Sequence, residues 1–144
     1  KLLTPRGYAQ PSWSPDGALL AAVKTTGTGR DIVIIRASDG AVLGRVTSDG
    51  RSFAPTWGPD GSGIAYLNLT SAGADLRLLQ LGPANGSDGV PTVVDDIALT
   101  TDTRLDPASR PAWYIPPDLL PPPSASPSPA ASVSGADRSS APSP

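Results

Sequence analysis

Asp16 and Asp60 each sit in a Trp-x-Pro-Asp-Gly stretch, and the two copies, PSWSPDG and PTWGPDG, lie 44 positions apart. Carboxylates can move protons or hold cations, so a repeated aspartate is the first place to look for chemistry. The neighbouring residue types argue against it. With no Cys and no His, the chain cannot build a thiolate site, a disulfide or a Ser-His-Asp triad. The Asp95-Asp96 pair lacks the alternating spacing of a calcium loop and reads as a solvated strand edge. GTGRD (Gly27–Asp31) lacks the third Gly and the Lys-Ser/Thr of a phosphate loop, so it reads as a hairpin. No Gly-x-Ser-x-Gly elbow is present. No catalytic residue, metal site or cofactor is therefore assigned, and Asp16 and Asp60 are expected to act in turns.

Composition narrows the partners. A net charge of −2 with scattered Lys and Arg disfavours nucleic acid. No apolar run approaches the ~20 residues that span a bilayer, so direct membrane insertion of this segment is not expected. From Pro121 to Pro144 the chain is almost entirely Pro, Ser and Ala. Such a composition buries too little apolar surface to offset ordering entropy, so 121–144 is expected to be a disordered tail that can be deleted without changing the rest. A chain that opens on KLLTPRG without Met reads as a piece of something longer.

The elements around the two motifs repeat with them. ALLAAVKTT (Ala18–Thr26) aligns with SGIAYLNLT (Ser62–Thr70), and RDIVIIRA (Arg30–Ala37) with ADLRLLQL (Ala74–Leu81). Short Val/Ile/Leu runs bounded by Gly, Pro, Asp and Ser are strand signatures, and the frequent Pro and Gly leave no room for long helices. Strands are expected at Ala18–Thr25, Ile32–Ala37, Ala41–Thr47, Ile64–Leu69, Leu76–Leu81 and Thr92–Ile97, with inner strands ending at Trp13, Trp57 and Trp113. Asp-Gly turns at SDGA (Ser38–Ala41) and SDGV (Ser87–Val90) mark hairpins. GPANG (Gly82–Gly86) reads as an extra surface loop of the second copy. An aliphatic-Thr pair (Leu3-Thr4, Val46-Thr47, Leu99-Thr100) precedes each motif, and the last leads to a degenerate copy keeping Pro111 and Trp113.

Four short antiparallel strands per unit of about 40–45 residues suit the blade of a β-propeller. The copies PSWSPDGALLAAV and PTWGPDGSGIAYL resemble the Trp-Ser-Pro-Asp-Gly repeat of TolB-like β-propellers, a relative of the WD-type repeats. The resemblance implies an all-β fold of four-stranded blades: a partial propeller over 1–120, divided into a blade end (1–8), blades at 9–52 and 53–108, and a partial blade (109–120). Its signature residues are Pro11, Trp13, Pro15, Asp16, Gly17, Pro55, Trp57, Pro59, Asp60, Gly61, Pro111 and Trp113. Each Trp is expected to pack between neighbouring blades, and each Pro-Asp-Gly to make the turn into the second strand. The resemblance further implies a non-catalytic binding or scaffold module of a bacterial extracytoplasmic protein, periplasmic, secreted or at the cell surface. Its partner would be a protein, peptide or glycan, beside further blades of the parent chain. The alternatives are the propeller of a prolyl-oligopeptidase-type peptidase or the sensor of a membrane-anchored kinase or lipoprotein. Residues 1–120 alone would leave blade faces wet and are expected to self-associate.

Overall fold

The structure, a computed structural model, describes residues 7–85 and 89–116. Among them there is no helix. The strands are β1 (Tyr8–Trp13), β2 (Leu19–Thr26), β3 (Gly29–Arg36), β4 (Val42–Arg45), β5 (Ser52–Trp57), β6 (Gly63–Leu69), β7 (Ala74–Asn85) and β8 (Val90–Ala98). They form two four-stranded antiparallel sheets, β1-β2-β3-β4 and β5-β6-β7-β8, each a meander in chain order. The order follows from the connections, since turns of a few residues can only return a strand beside its predecessor.

Residues opposite one another in an antiparallel pair share a face, so register assigns the core. Ala21 opposes Ile34 and Val23 opposes Ile32 in the first sheet; Ile64 opposes Leu79 in the second. These side chains meet between the sheets, where Ala21, Ile32, Ile34, Trp57, Ile64, Tyr66 and Leu79 form one buried cluster. Phe53, Ala54, Leu67 and Ala74 form a second buried cluster with Val23. The opposite face of the first sheet carries a separate cluster of Ala22, Val33 and Ile35, with Tyr8 and Leu20 against it. With both faces of β2 and β3 covered, their sequences are nearly unbroken apolar runs rather than alternating ones.

Two expectations are corrected. GPANG is not a loop appended to the second sheet, because β7 continues through Asn85 and pairs with β8 as far as Val90. Register shifts at Gln80/Leu81 and Leu81/Ala84 absorb the extra residues, and the Thr92 hydroxyl caps the Pro83 carbonyl at 3.1 Å. No strand ends at Trp113, since 111–116 has no regular structure. Pro111 and Pro116 lack the amide donors that a strand ladder needs. The expectations for Leu3-Thr4, for Ser87-Asp88 of SDGV and for the tail at 121–144 fall outside the described residues.

Candidate functional site

The repeated motif builds a turn from its own side chains. Ser14 N–H donates to the Leu19 carbonyl at 2.9 Å, and Ser14 Oγ donates to Asp16 Oδ1 at 2.6 Å. The same Asp16 oxygen accepts from Ala18 N–H at 3.0 Å. In the second copy Gly58 N–H donates to the Gly63 carbonyl, and Asp60 accepts from Ser62 N–H and Ser62 Oγ. Gly17 and Gly61 take φ of 71° and 76°, a region that costs a residue with a Cβ. The Ser14 hydroxyl and Ala18 amide hold the Asp16 carboxyl below its ordinary range, and the Ser62 amide and hydroxyl do the same for Asp60. Both carboxylates are thus ionised, and each anchors its own turn.

The two turns stand on either side of the seam between the sheets, and there the structure opens a groove of about 940 Å³. One wall is the Ser14–Ala18 turn with Arg36–Ser38; the other is Trp57, Asp60, Gly61 and the β7–β8 hairpin at Ala84, Gly89 and Pro91. The elongated hairpin is what closes this second wall: Val90 Cγ1 lies 3.5 Å from where a Cβ on Gly44 of β4 would sit. Leu19 and Leu43 line the base, packed on the central cluster. Such a volume suits a ligand or an extended chain segment, and its base is apolar. Trp57 Nε1 is the one buried polar side-chain atom without a hydrogen-bond partner among the described residues.

Toward the other end of β6, the seam holds a smaller polar cavity of about 330 Å³. Here Asp95 and Asp96 lie exposed on β8, the edge strand of the second sheet, as expected, and Asp96 also takes part in a polar network. Tyr66 Oη donates to Asp96 Oδ2 at 2.9 Å, while Arg77 Nε donates to Asp96 Oδ1 and to Tyr66 Oη at 3.0 and 3.1 Å. Burial and the facing Asp96 carboxylate push the Tyr66 hydroxyl well above its ordinary range, which removes it as a base. Asp49 accepts from Arg51 N–H and Ser52 Oγ, and Asn68 Nδ2 also donates to it. Burial pushes the Asp49 carboxyl up, but these donors outweigh it and hold the group below its usual value. These contacts tie β6, β7 and β8 to one another and hold the β4–β5 connection against β5 and β6.

Sequence reasoning missed several repeated contacts. Thr47 Oγ1 accepts from Ile32 N–H and Thr100 Oγ1 from Leu76 N–H, each at 2.9 Å, so the aliphatic-Thr pair supplies an acceptor where a fourth strand ends. Asp31 accepts from Gly50 N–H at 3.0 Å, and Asp75 from Thr103 N–H at 3.0 Å. Third-strand aspartates thereby hold the chain as it leaves each sheet. Gln10 and Ala54 both have φ near 50°, at the bulges of β1 and β5. Gln10 Oε1 accepts from Ala54 N–H at 2.9 Å, and Ser12 Oγ from Trp57 N–H at 3.0 Å, so bulge meets bulge across the seam. The common offset of 44 between Asp31 and Asp75, and between Gln10 and Ala54, was the available signal.

The three tryptophans stand in different surroundings. Trp57 opposes Ile64 and is buried against the first sheet at 7 % exposure. Trp13 opposes Leu20 on the face turned away from the second sheet and is 56 % exposed, with no further sheet across from it among the described residues. Trp113 is 40 % exposed; its Nε1–H donates to the Thr56 carbonyl at 3.1 Å, and Thr56 Oγ1 donates to the Pro111 carbonyl at 3.0 Å. Its segment lies against β5 much as β5 lies against β1.

Two consecutive four-stranded meanders stacked face to face, each entered through the same Trp-x-Pro-Asp-Gly turn, decide the architecture. A structure assigned to TolB from Agrobacterium tumefaciens superposes with a TM-score of 0.55 at 21% identity, over 70% of this chain and 33% of that one. The fold is a TolB-like propeller segment. A TolB structure from Acinetobacter baumannii also matches, with a TM-score of 0.43 and 21% identity over 51% of this chain and 18% of that chain. The chain thus spans about a third or less of the TolB-like structures it matches. No protein-family model matches the sequence, and neither does any curated protein.

Proposed function

We propose that this TolB-like segment is a non-catalytic binding module of a bacterial extracytoplasmic protein, engaging an extended segment of a protein in the groove at its inter-sheet seam. The observation that carries the reading is the groove itself: about 940 Å³, apolar at its base, and rimmed by turns whose carboxylates are held by their own Ser and amide donors. A site of that kind offers surface and shape to a ligand but no group to transform it. Its likeness to a propeller fold supports an interaction role, because stacked repeats present concave seams without spending residues on chemistry.

Selection of extended peptides against the full chain, followed by titration with Leu43→Glu, tests the reading. Selected peptides should bind, lose at least tenfold in affinity with Leu43→Glu, and be recovered intact. Binding indifferent to Leu43→Glu, or cleavage of the peptides, would overturn it.

A further inference from the structure

The groove joins two surfaces of opposite character. Its base, at Leu19 and Leu43, is apolar. Its rim carries Asp16 on one wall and Asp60 on the other, both of them exposed. The Ser14 hydroxyl and the Ser62 amide hold these carboxyls below their ordinary range, so both are charged at neutral pH. The only other charged residue of the lining is Arg36, which ion-pairs with Asp39 at 3.0 Å. With that pair neutral as a whole, the two aspartates set the sign of the rim.

The two carboxylates come from successive copies of one motif, brought together where the turns meet. A Cβ on Gly61 would lie 3.9 Å from Pro15 Cδ, so the residue after Asp60 abuts the residue before Asp16. Asp16 gives only Oδ1 to its turn, and its Oδ2 takes no partner among the described residues. Asp60 accepts one bond on each oxygen, which leaves room for a second on each. Both groups can therefore accept further hydrogen bonds without releasing their turns.

An apolar floor beneath an acidic rim complements one kind of side chain. Arginine and lysine lay an aliphatic stem along apolar surface while the charged head stays at the water boundary. An acidic side chain would meet like charge at the rim, and a neutral one would leave the two carboxylates unmatched.

We propose that the extended segment taken by this groove carries a basic side chain, its stem over Leu19 and Leu43 and its charged head at the rim beside Asp16 and Asp60. The proposal rests on the groove being a binding site for extended protein segments. Arginine suits the site better than lysine, because its planar fork can donate toward both walls at once.

Peptides selected on the full-length protein from a library unbiased in composition should be enriched in arginine or lysine at one position. Replacing that residue with citrulline or norleucine, which removes the charge and keeps the stem, should weaken binding about three- to tenfold, the scale of one or two exposed ion pairs. High salt should weaken the charged peptide and leave the neutral one unchanged. Asp16→Asn combined with Asp60→Asn, which keeps an acceptor in each turn, should bind the two peptides equally. If that variant does not fold, the charged and neutral peptides compared on the native protein still decide. Equal binding of the two peptides to the native protein would overturn the proposal, as would a preference for charge that survives both Asn substitutions. If neutral peptides bind as well and still lose affinity with Leu43→Glu, only the basic side chain is wrong. If no selected peptide responds to Leu43→Glu, the groove reading falls as well.

Discussion

Trp13 and Trp57 occupy the same place in the same motif and end the same kind of strand, yet one is 56 % exposed and the other 7 %. Their turns are nearly superimposable in logic, with Asp bonding its own backbone and Gly at positive φ. The difference lies wholly in what stands opposite. Trp57 faces Ala21, Ile32 and Ile34 of the first sheet, whereas no sheet lies across from Trp13 among the described residues. A motif can specify its turn and the direction of its indole. Burial of that indole requires a second sheet.

The largest expected effect bears directly on that contrast. Trp57→Ala should cost about 3–5 kcal/mol by urea denaturation, through lost burial and a cavity between the sheets. Trp13→Ala should cost about 1 kcal/mol or less, as at an ordinary surface site. Equal shifts in the two midpoints would break the comparison.

The paired bulges give a second test. Ala54 is fully buried at a φ of 51°, while Gln10 holds a similar angle on the exposed strand β1. Ala54→Val should therefore destabilise by about 2–4 kcal/mol, combining overpacking with left-handed strain. Gln10→Val keeps the strain without the overpacking and should cost about half as much, bond to Ala54 included. A larger loss at Gln10 would show that the first sheet, not the seam, limits stability.

Thr47→Val is expected to cost about 1–3 kcal/mol, because the amide of fully buried Ile32 would lose its acceptor. Thr100→Val, beside the half-buried Leu76, should cost less, as read from the same denaturation curves.

The smallest effects are pH slopes. Tyr66 has a raised folded value, so its contribution is complete below the unfolded value near 10 and is lost as pH climbs beyond it. Tyr66→Phe should lower stability by about 1 kcal/mol at neutral pH and flatten this alkaline loss. Asp49 has a depressed folded value, so its contribution is present above the unfolded value near 4 and fades as pH falls through the folded one. In Asp49→Asn the acid limb should flatten by less than about 1 kcal/mol. Unchanged slopes in both variants would show that neither group's titration is linked to folding.

Much of the architecture was legible in the chain because its determinants are local. Pro, Asp and Gly in sequence dictate a turn through φ restriction and a side-chain acceptor, and β-branched apolar runs of four to eight residues between such turns suit short strands. The groove was not legible. Its second wall depends on β7 and β8 running on through Asn85 and Val90, where Gly82 and Pro83 had read as loop. The partners of Asp96 were not legible either: Tyr66 and Arg77 come from β6 and β7.

By itself, then, the sequence determined the unit: four strands, where each turns, which residues repeat and which side of a strand each indole takes. Those properties follow from backbone sterics and from the two-residue period of a strand, both of which act within a few positions. Only the tertiary structure decided which tryptophan is buried, which aspartates join elements and where a groove opens. Each of these depends on residues tens of positions apart meeting across a seam, as Gln10 meets Ala54 and Ser12 meets Trp57. Stacking of sheet on sheet brings them together, because apolar faces leave water only when a second face arrives to cover them.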